Sequence, residues 1–224
     1  TKADYEALTF YENRNYILDD GSIYDVAVKT QDSTYVFGVN DALVSLSGNN
    51  TTGVIGNENL PFASWEFAIT QMDLSGNATI WVEGGTYSMN TEGLGYAVVE
   101  QDFENELTIR SKPNQTVILG HSYQIYSIRF MNSSANVTFK GFTFRPYTNE
   151  LATFYTNGTI SVENINVLDC IFENYGVSHT YSALFQSSGT NVGTKIKRCT
   201  FQQGLGKLTA QFENATDVDY IGNI

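Results

Sequence analysis

Apolar and polar residues alternate in short runs along most of the chain, and similar runs return at a long interval. Four of these segments are NVTFKGFTF (136–144), NINVLDCIF (164–172), GTKIKRCTF (193–201) and DVDYIGNI (217–224). In the first three, a small or polar residue precedes an inward apolar position, and the segment ends on Phe144, Phe172 or Phe201. Alternation with a period of two predicts β-strands with one face in a core.

The apolar anchors of these segments are evenly spaced. With the related segments ATIWVEGGTY (78–87) and ELTIRS (106–111), they form the series Ile80, Ile109, Phe139, Val167, Ile196 and Tyr220, at intervals of 29, 30, 28, 29 and 24 residues. Strands this short cannot bury a core alone, but stacked repeats can. The sequence therefore predicts an all-β fold, a right-handed parallel β-helix (a solenoid) with three strands per turn.

A second series of similar triplets runs just ahead of the first. Its members are FMN (130–132), VEN (162–164) and FEN (212–214), with FQS (185–187) as the divergent one. We expect these triplets to occupy equivalent positions in successive turns. Each repeat then contributes at least two short strands separated by turns.

A helical pattern precedes the repeats. Phe62, Trp65, Ile69 and Met72 fall at helical spacing, which predicts a short capping helix near 61–72 at one end of the solenoid. Residues 1–56 are expected to form a separate β-rich extension, with strands in SIYDVAVKT and STYVFGV and a turn at 18–22. The expected domains are therefore 1–56 and 57–224.

Residues 57–90 and the later repeats resemble a known family. The stretch from NENLPF to GGTYSMN, followed by units such as DCIFEN, is similar to pectin-lyase-like right-handed parallel β-helix surface proteins. These include the adhesin-like and cell-envelope proteins of methanogenic archaea. The resemblance covers about residues 57–224 and implies a cell-surface or cell-wall protein. The same fold family also includes polysaccharide lyases and glycoside hydrolases.

The acidic composition argues against two classes of binding partner. The net charge is −12 and the pI is about 4.4, which disfavours binding to nucleic acid or to an anionic membrane surface. No apolar run is long enough to cross a bilayer. The chain starts at Thr1 without a signal peptide, so we expect a processed or trimmed piece.

Eight N-x-S/T triplets indicate glycosylation of an extracellular protein. They lie at Asn49, Asn50, Asn77, Asn114, Asn132, Asn136, Asn157 and Asn214. The alternative is that turn-rich β proteins are simply rich in Asn, Ser and Thr.

Candidate catalytic groups are few. The two histidines, His121 and His179, lie outside any metal-binding motif, and we expect neither a metal nor a cofactor. Glu163 and Glu213 belong to the second triplet series and would lie two turns apart, with backbones about 9.6 Å from each other. That is near the upper limit of the ~6.5–9.5 Å carboxyl separation of inverting glycosidases. The alternative is a pair of ordinary exposed charges.

A mixed-charge patch and a group of tyrosines complete the candidate surface. The patch contains Asp169, Lys195, Lys197 and Arg198, without the acidic cluster of the fold's lyases. Two longer turns bring together the candidate binding residues Tyr147, Tyr155, Tyr175 and Tyr181. Tyrosine suits glycans and protein partners alike. The alternative is that these rings pack onto the strands beneath them.

The two cysteines are expected in one interior column. Cys170 and Cys199 occupy the same place in successive repeats, in line with Phe142 and Asn223. Stacked Cα atoms about 4.8 Å apart permit a disulfide, but parallel side chains leave Cβ atoms slightly beyond the preferred ~3.5–4.5 Å. Geometry favours buried thiols, whereas an extracellular location favours a bridge.

These observations together predict an extracellular structural or adhesive β-helix glycoprotein. The sequence stops partway through a repeat, so we expect either a longer solenoid or a neighbouring molecule to cover that end. Self-assembly into a sheath, surface layer or fibre follows from the second case, with the chain itself or cell-surface glycans and proteins as partners. The alternative is a polysaccharide-active enzyme, a glycoside hydrolase or lyase.

Overall fold

The protein is mostly β, with parallel sheets and one short helix among the described residues. The structure is a computed structural model that describes residues 15–17, 23–25, 35–88, 97–99, 105–120, 126–130, 136–145, 152–156, 162–175, 182–187, 191–203, 208–212, 215–216 and 219–221.

The helix α1 spans Trp65–Gln71. The strands, in chain order, are β1 Asn15–Ile17, β2 Ile23–Asp25, β3 Ala42–Val44, β4 Ala78–Val82, β5 Gly85–Ser88, β6 Ala97–Val99, β7 Leu107–Ser111, β8 Val117–Gly120, β9 Tyr126–Phe130, β10 Val137–Lys140, β11 Phe142–Arg145, β12 Ala152–Thr156, β13 Val162–Glu163, β14 Asn166–Leu168, β15 Ile171–Tyr175, β16 Ser182–Ser187, β17 Asn191–Val192, β18 Lys195–Lys197, β19 Thr200–Gln203, β20 Leu208–Phe212, β21 Ala215–Thr216 and β22 Asp219–Ile221.

Corresponding strands of successive repeats lie side by side in four parallel sheets. The largest sheet has the order β22-β18-β14-β10-β7-β4-β3. Two five-stranded sheets follow, β19-β15-β11-β8-β5 and β20-β16-β12-β9-β6, and the short strands form β13-β17-β21. Each repeat thus gives three main strands and, later in the chain, a short fourth one. The arrangement is β-helix-like.

The first predicted series is confirmed by the register of the seven-stranded sheet. Ile80 lies opposite Ile109, which lies opposite Phe139, and the same row continues through Val167 and Ile196 to Tyr220. Side chains at the first five of these positions are 0% exposed. An apolar residue every 24 to 30 positions therefore builds one continuous row of the core.

Inward phenylalanines form a second row beside it. The rings of Phe144 and Phe172 are stacked, with centroids 5.0 Å apart, and Phe172 and Phe201 are stacked at the same 5.0 Å. Register partners place these residues in neighbouring strands of one five-stranded sheet. The predicted inward position of all three is confirmed.

Residues with positive φ turn the chain at two places in each of three repeats. Before the seven-stranded sheet these are Asn136, Asn164 and Gly193, and after it they are Gly141, Asp169 and Arg198. All six have φ between 52° and 78°, a region that favours glycine and tolerates asparagine and aspartate. This explains the small or polar residue that precedes each inward position in the sequence.

The second predicted series is wrong in two members, VEN and FQS. Phe130 aligns with Thr156, Ser187 and Phe212 in a five-stranded sheet. Val162 and Glu163 lie instead in the short sheet, opposite Asn191 and Val192. The triplets look alike, but VEN belongs to a row of the short sheet. In FQS, Phe185 lies opposite Phe154, two positions before the Ser187 that aligns with Phe212.

The predicted helix exists, and it is shorter than 61–72. Ser64 caps it by accepting a hydrogen bond from the Phe67 backbone at 3.4 Å, and Trp65 and Ile69 are buried as expected. Phe62 is buried but precedes the helix, because its N–H donates to the Leu43 carbonyl at 2.7 Å. Trp65 reaches the core, with its ring 6.1 Å from that of Phe142.

The chain divides into two compact units, residues 1–35 and residues 36–224. The expected boundary after residue 56 differs from this, because β3 pairs in parallel with β4 and so joins the sheets of the second unit. In the first unit β1 and β2 pair antiparallel, with Ile17 opposite Ile23. The expected turn at 18–22 lies outside the described residues.

Residues 35–39 and the helix content bear on two further expectations. In STYVFGV, residues 35–39 are not a strand, so that strand prediction is wrong for the described part. Among the described helices there is none with the length and hydropathy that a bilayer crossing requires.

Candidate functional surface

The cysteines lie in the interior, in line with Phe142. Cys170 and Cys199 are each 1% exposed and are free thiols in the structure. The Cys170 thiol donates to the Leu168 carbonyl with a sulfur–oxygen distance of 3.2 Å, and burial raises its pKa well above the ordinary value. Nucleophilic chemistry needs an accessible thiolate. Cys170 therefore lacks the properties of a catalytic thiol.

Glu163 is exposed, and its expected alignment with Glu213 is not observed. Glu163 lies opposite Val192, and Val192 lies opposite Thr216. The row that contains Gln186 continues to Gln211 in another sheet. The geometric basis for a carboxylate pair is therefore absent from the Glu163 row. Glu213 itself lies outside the described residues.

The tyrosines of the predicted binding surface are described only in part. Tyr155 lies on β12, opposite Arg129 and Gln186, and Tyr175 lies at the end of β15, opposite Gln203. Tyr147 and Tyr181 lie outside the described residues. Binding by these four side chains remains a prediction.

Five of the eight predicted glycosylation sites are described, and they differ in exposure. Asn49, Asn77 and Asn114 are exposed. Asn136 accepts a hydrogen bond from the Asn164 side chain at 3.0 Å, and Asn50 accepts from the Ala63 backbone at 2.9 Å. Asn77, although exposed, likewise accepts from the Glu106 backbone at 3.2 Å, so the side chains of Asn50, Asn77 and Asn136 stabilise the fold. Asn132, Asn157 and Asn214 lie outside the described residues.

Two residues of the mixed-charge patch, Asp169 and Arg198, form a network between repeats together with Lys140. Asp169 accepts hydrogen bonds from Arg198 Nε at 2.6 Å and from its terminal nitrogen at 3.0 Å, and its carboxylate lies 3.9 Å from Lys140 Nζ. These three residues come from three successive repeats. A bidentate arginine–carboxylate contact is the strongest form of such a pair. The network fastens adjacent repeats at their turn.

A second ion pair also joins neighbouring repeats, this time between β11 and β15 of a five-stranded sheet. Arg145 Nε lies 2.7 Å from a Glu173 oxygen, and this hydrogen bond raises the pKa of the arginine. The two residues are 28 positions apart, close to one repeat. The charged groups of both pairs thus bind each other between neighbouring repeats. Among the described residues, no three His, Cys, Asp or Glu side chains are grouped so that they could hold a metal ion.

The buried carboxylate of Asp41 was not predicted from the sequence. This side chain is 9% exposed and accepts hydrogen bonds from the Thr79 backbone at 3.0 Å and from the Trp81 indole at 3.2 Å. The Arg110 guanidinium lies over the same indole, 4.6 Å from its centroid. The sequence signal for its burial is that Asp41 directly precedes the apolar triplet ALV. Its partners are about 40 residues away, so local patterning could not reveal them.

Comparison with protein-family models and with curated proteins gave no match. Among solved structures, a rhamnogalacturonan lyase is similar to this chain, with a TM-score of 0.41 and 12% sequence identity. The similarity covers 81% of this chain and 62% of that chain, so this chain spans about three fifths of that protein's length. A likeness this distant assigns neither a family nor an activity.

Proposed function

We propose that the protein is a structural or adhesive component of the cell envelope, built as a right-handed parallel β-helix solenoid. Its function would follow from its shape. The row from Ile80 to Tyr220 crosses the seven-stranded sheet without a change of register, and this is the observation that carries the proposal. Stacked repeats joined this regularly resist bending, because each repeat is held by backbone ladders on several sides.

The placement of the charges supports the same function. Polysaccharide-cleaving sites need carboxyl groups that converge on one bond. Here Asp169 and Glu173 each pair with an arginine of a neighbouring repeat. These carboxylates stabilise the stack, and that use fits a structural protein better than an enzyme.

An extracellular location is part of the proposal. The exposed Asn49 and Asn114 lie in N-x-S/T triplets and are available to a glycosylating enzyme. Glycans and an acidic surface would keep such a protein soluble outside the cell. The partners would be further copies of the chain, or the glycans and proteins of a cell surface. The predicted tyrosines belong to this contact surface.

Electron microscopy combined with a glycan panel tests the proposal. We expect the purified chain to form fibres, tubes or two-dimensional layers, and to release no sugar from neutral or acidic polysaccharides. Glu163→Gln should change neither result. Discrete monomers that cleave a polysaccharide would overturn the proposal in favour of the enzyme, most clearly if Glu163→Gln abolished cleavage. The same images, at higher resolution, would give the handedness of the solenoid.

A further inference from the structure

The two cysteines occupy equivalent positions in neighbouring repeats. Each directly precedes a strand, and the first residues of those strands, Ile171 and Thr200, lie opposite each other. The backbone N–H of Thr200 donates to the carbonyl of Cys170 at 2.9 Å. Cα atoms of such neighbours are about 4.8 Å apart, within the ~4.4–6.8 Å that a disulfide allows. Their Cβ atoms are slightly beyond the ~3.5–4.5 Å that it prefers, so a bridge formed here would be easily reduced.

Contacts before and after the cysteines keep the two repeats in register. Asp169 and Arg198, which directly precede the cysteines, form the bidentate pair described above. Both have a φ of 55°, so the chain enters each cysteine from the same left-handed conformation. Two residues after the cysteines, the rings of Phe172 and Phe201 are stacked with centroids 5.0 Å apart. Folding therefore holds the two cysteine side chains side by side.

The thiol of Cys199 lies against that of Cys170. Its sulfur is 3.5 Å from the carbonyl oxygen of Val167, which belongs to the repeat that contains Cys170. The side chain of Cys199 thus leans toward the neighbouring thiol, and a hydrogen bond between the two side chains is the main reason why the pKa of Cys199 is lowered. Both cysteines are free thiols in the structure, and each is 1% exposed.

The two thiols differ in their surroundings. Cys199 follows Arg198, and a neighbouring cation stabilises a thiolate. Cys170 follows Asp169, and burial is the main cause of its raised pKa. The thiolate is the form of cysteine that attacks an electrophile. We therefore expect the sulfur of Cys199 to react first, with Cys170 placed to attack the product.

We propose that Cys170 and Cys199 form a reversible disulfide that fastens two neighbouring repeats when the protein meets hydrogen peroxide. The Cys199 thiolate attacks one peroxide oxygen, the O–O bond breaks, and the released hydroxide takes up the proton that this thiol has lost. The sulfur of Cys170 then attacks that of Cys199, the S–O bond breaks, and the second hydroxide leaves as water with the proton of Cys170. Two thiols thus lose two electrons and two protons, and one peroxide becomes two waters. Because both sulfurs are buried, we expect the reaction to be slow and limited to small oxidants.

Peptide mass spectrometry of the folded chain after treatment with hydrogen peroxide tests the bridge. We expect a crosslink between Cys170 and Cys199 of one chain, with the loss of two hydrogen atoms, and its removal by dithiothreitol. Thiols that stay reduced, sulfinic acid in place of the bridge, or bridges only between chains would each overturn the proposal. The ratio of bridge to sulfinic acid should be at least about tenfold higher in the folded chain than in urea, because folding holds the sulfurs together. Equal ratios would also overturn it.

Alanine variants test the order of attack. In Cys170→Ala, Cys199 should form a sulfenic acid that dimedone traps, because no second thiol is there to remove it. In Cys199→Ala, Cys170 should react at least about tenfold more slowly than Cys199 does, because burial disfavours its thiolate. Equal reactivity of the two thiols would overturn the assigned order. Circular dichroism confirms folding, and if a variant unfolds, the wild-type experiment still decides whether the bridge forms.

Urea unfolding tests whether the bridge fastens the repeats. The bridged chain should unfold at a higher urea midpoint than the reduced chain, because the bridge closes a loop of about one repeat in the unfolded state. The peroxide-treated Cys199→Ala variant is the control and should show no such shift. An equal or lower midpoint for the bridged chain would overturn the proposal. None of these results depends on the proposed function, which microscopy and the glycan panel test separately.

Discussion

Individual residues with left-handed backbone conformation determine where each repeat turns. Gly193 is the clearest of them, because a Cβ at this position would lie 2.5 Å from Oδ1 of Asn164 in the repeat before. Its φ of 68° already disfavours most side chains. In the preceding repeats the same position holds Asn136 and Asn164, whose amides hydrogen-bond to each other. Glycine and asparagine are therefore two solutions to one backbone requirement.

Gly193→Ala should destabilise the protein by about 1–3 kcal/mol, since the new methyl group adds strain and contact. Gly193→Asn should cost less, because asparagine tolerates this conformation and its amide can extend the Asn136–Asn164 pair. Urea unfolding monitored by circular dichroism measures both. Gly76→Ala is the control, since nothing lies within 4 Å of its Cβ, and should change stability by about 0.5 kcal/mol or less. Equal losses for alanine and asparagine would contradict this account.

Glu66 makes stability depend on pH in a direction that can be worked out. Its pKa is raised above the ordinary value, chiefly because burial disfavours the charged carboxylate. The native state then binds the proton more tightly than the unfolded chain does. Stability from this group is present below its unfolded pKa and is lost as pH rises through the folded pKa.

Glu66→Gln should therefore stabilise the protein at neutral pH relative to wild type, and the gain should shrink in acid. Urea midpoints of both proteins at acidic and neutral pH provide the measurement. A variant that is less stable than wild type at neutral pH would show that the charge helps the N-terminus of α1 more than burial opposes it.

Glycosylation is expected at an exposed asparagine and not at one whose amide hydrogen-bonds between repeats. Asn114 is exposed at a turn, whereas Asn136 bonds to Asn164 within the stack. After expression in a host that modifies N-x-S/T sites, we expect glycopeptide mass spectrometry to find glycan at Asn114 and none at Asn136. Full occupancy of Asn136 in a folded protein would contradict the assigned role of its amide.

At the scale of elements, the stacked phenylalanines join three adjacent strands more tightly than apolar area alone would. Phe172 lies between Phe144 and Phe201, with both ring centroids 5.0 Å from its own, and it is 0% exposed. Such ring pairs contribute about 0.5–1.5 kcal/mol each beyond burial.

Phe172→Ala should destabilise the protein by about 3–5 kcal/mol, the range for a large aromatic removed from a packed core. Phe67→Ala is the matched comparison, because that ring is 39% exposed, and its loss should be about 1 kcal/mol or less. Thermal and urea unfolding of both variants would measure the difference. Similar losses would mean that the ring stack adds little to the cohesion of neighbouring repeats.

At the scale of the whole molecule, the repeated strands could be predicted from the sequence, whereas contacts between residues far apart in the sequence could not. The anchors from Ile80 to Tyr220 were predictable because a parallel register preserves sequence period. The VEN and FQS triplets were placed wrongly because short triplets that begin with valine or phenylalanine look alike in different strands. The buried Asp41 depends on partners brought to it by folding, so no local pattern predicts its role. Parallel pairing of β3 with β4 likewise joins segments nearly 40 residues apart, as Ala42 opposite Ile80 shows.

The paired left-handed turns also determine where the chain can change in length. Asn136 and Gly141, Asn164 and Asp169, and Gly193 and Arg198 are each five residues apart. Insertion or deletion within that interval would shift every inward side chain of the strand to the wrong face. The strands β11, β15 and β19, which follow these intervals, keep a register of their own. Each interval is thus a unit of fixed length that these three repeats share.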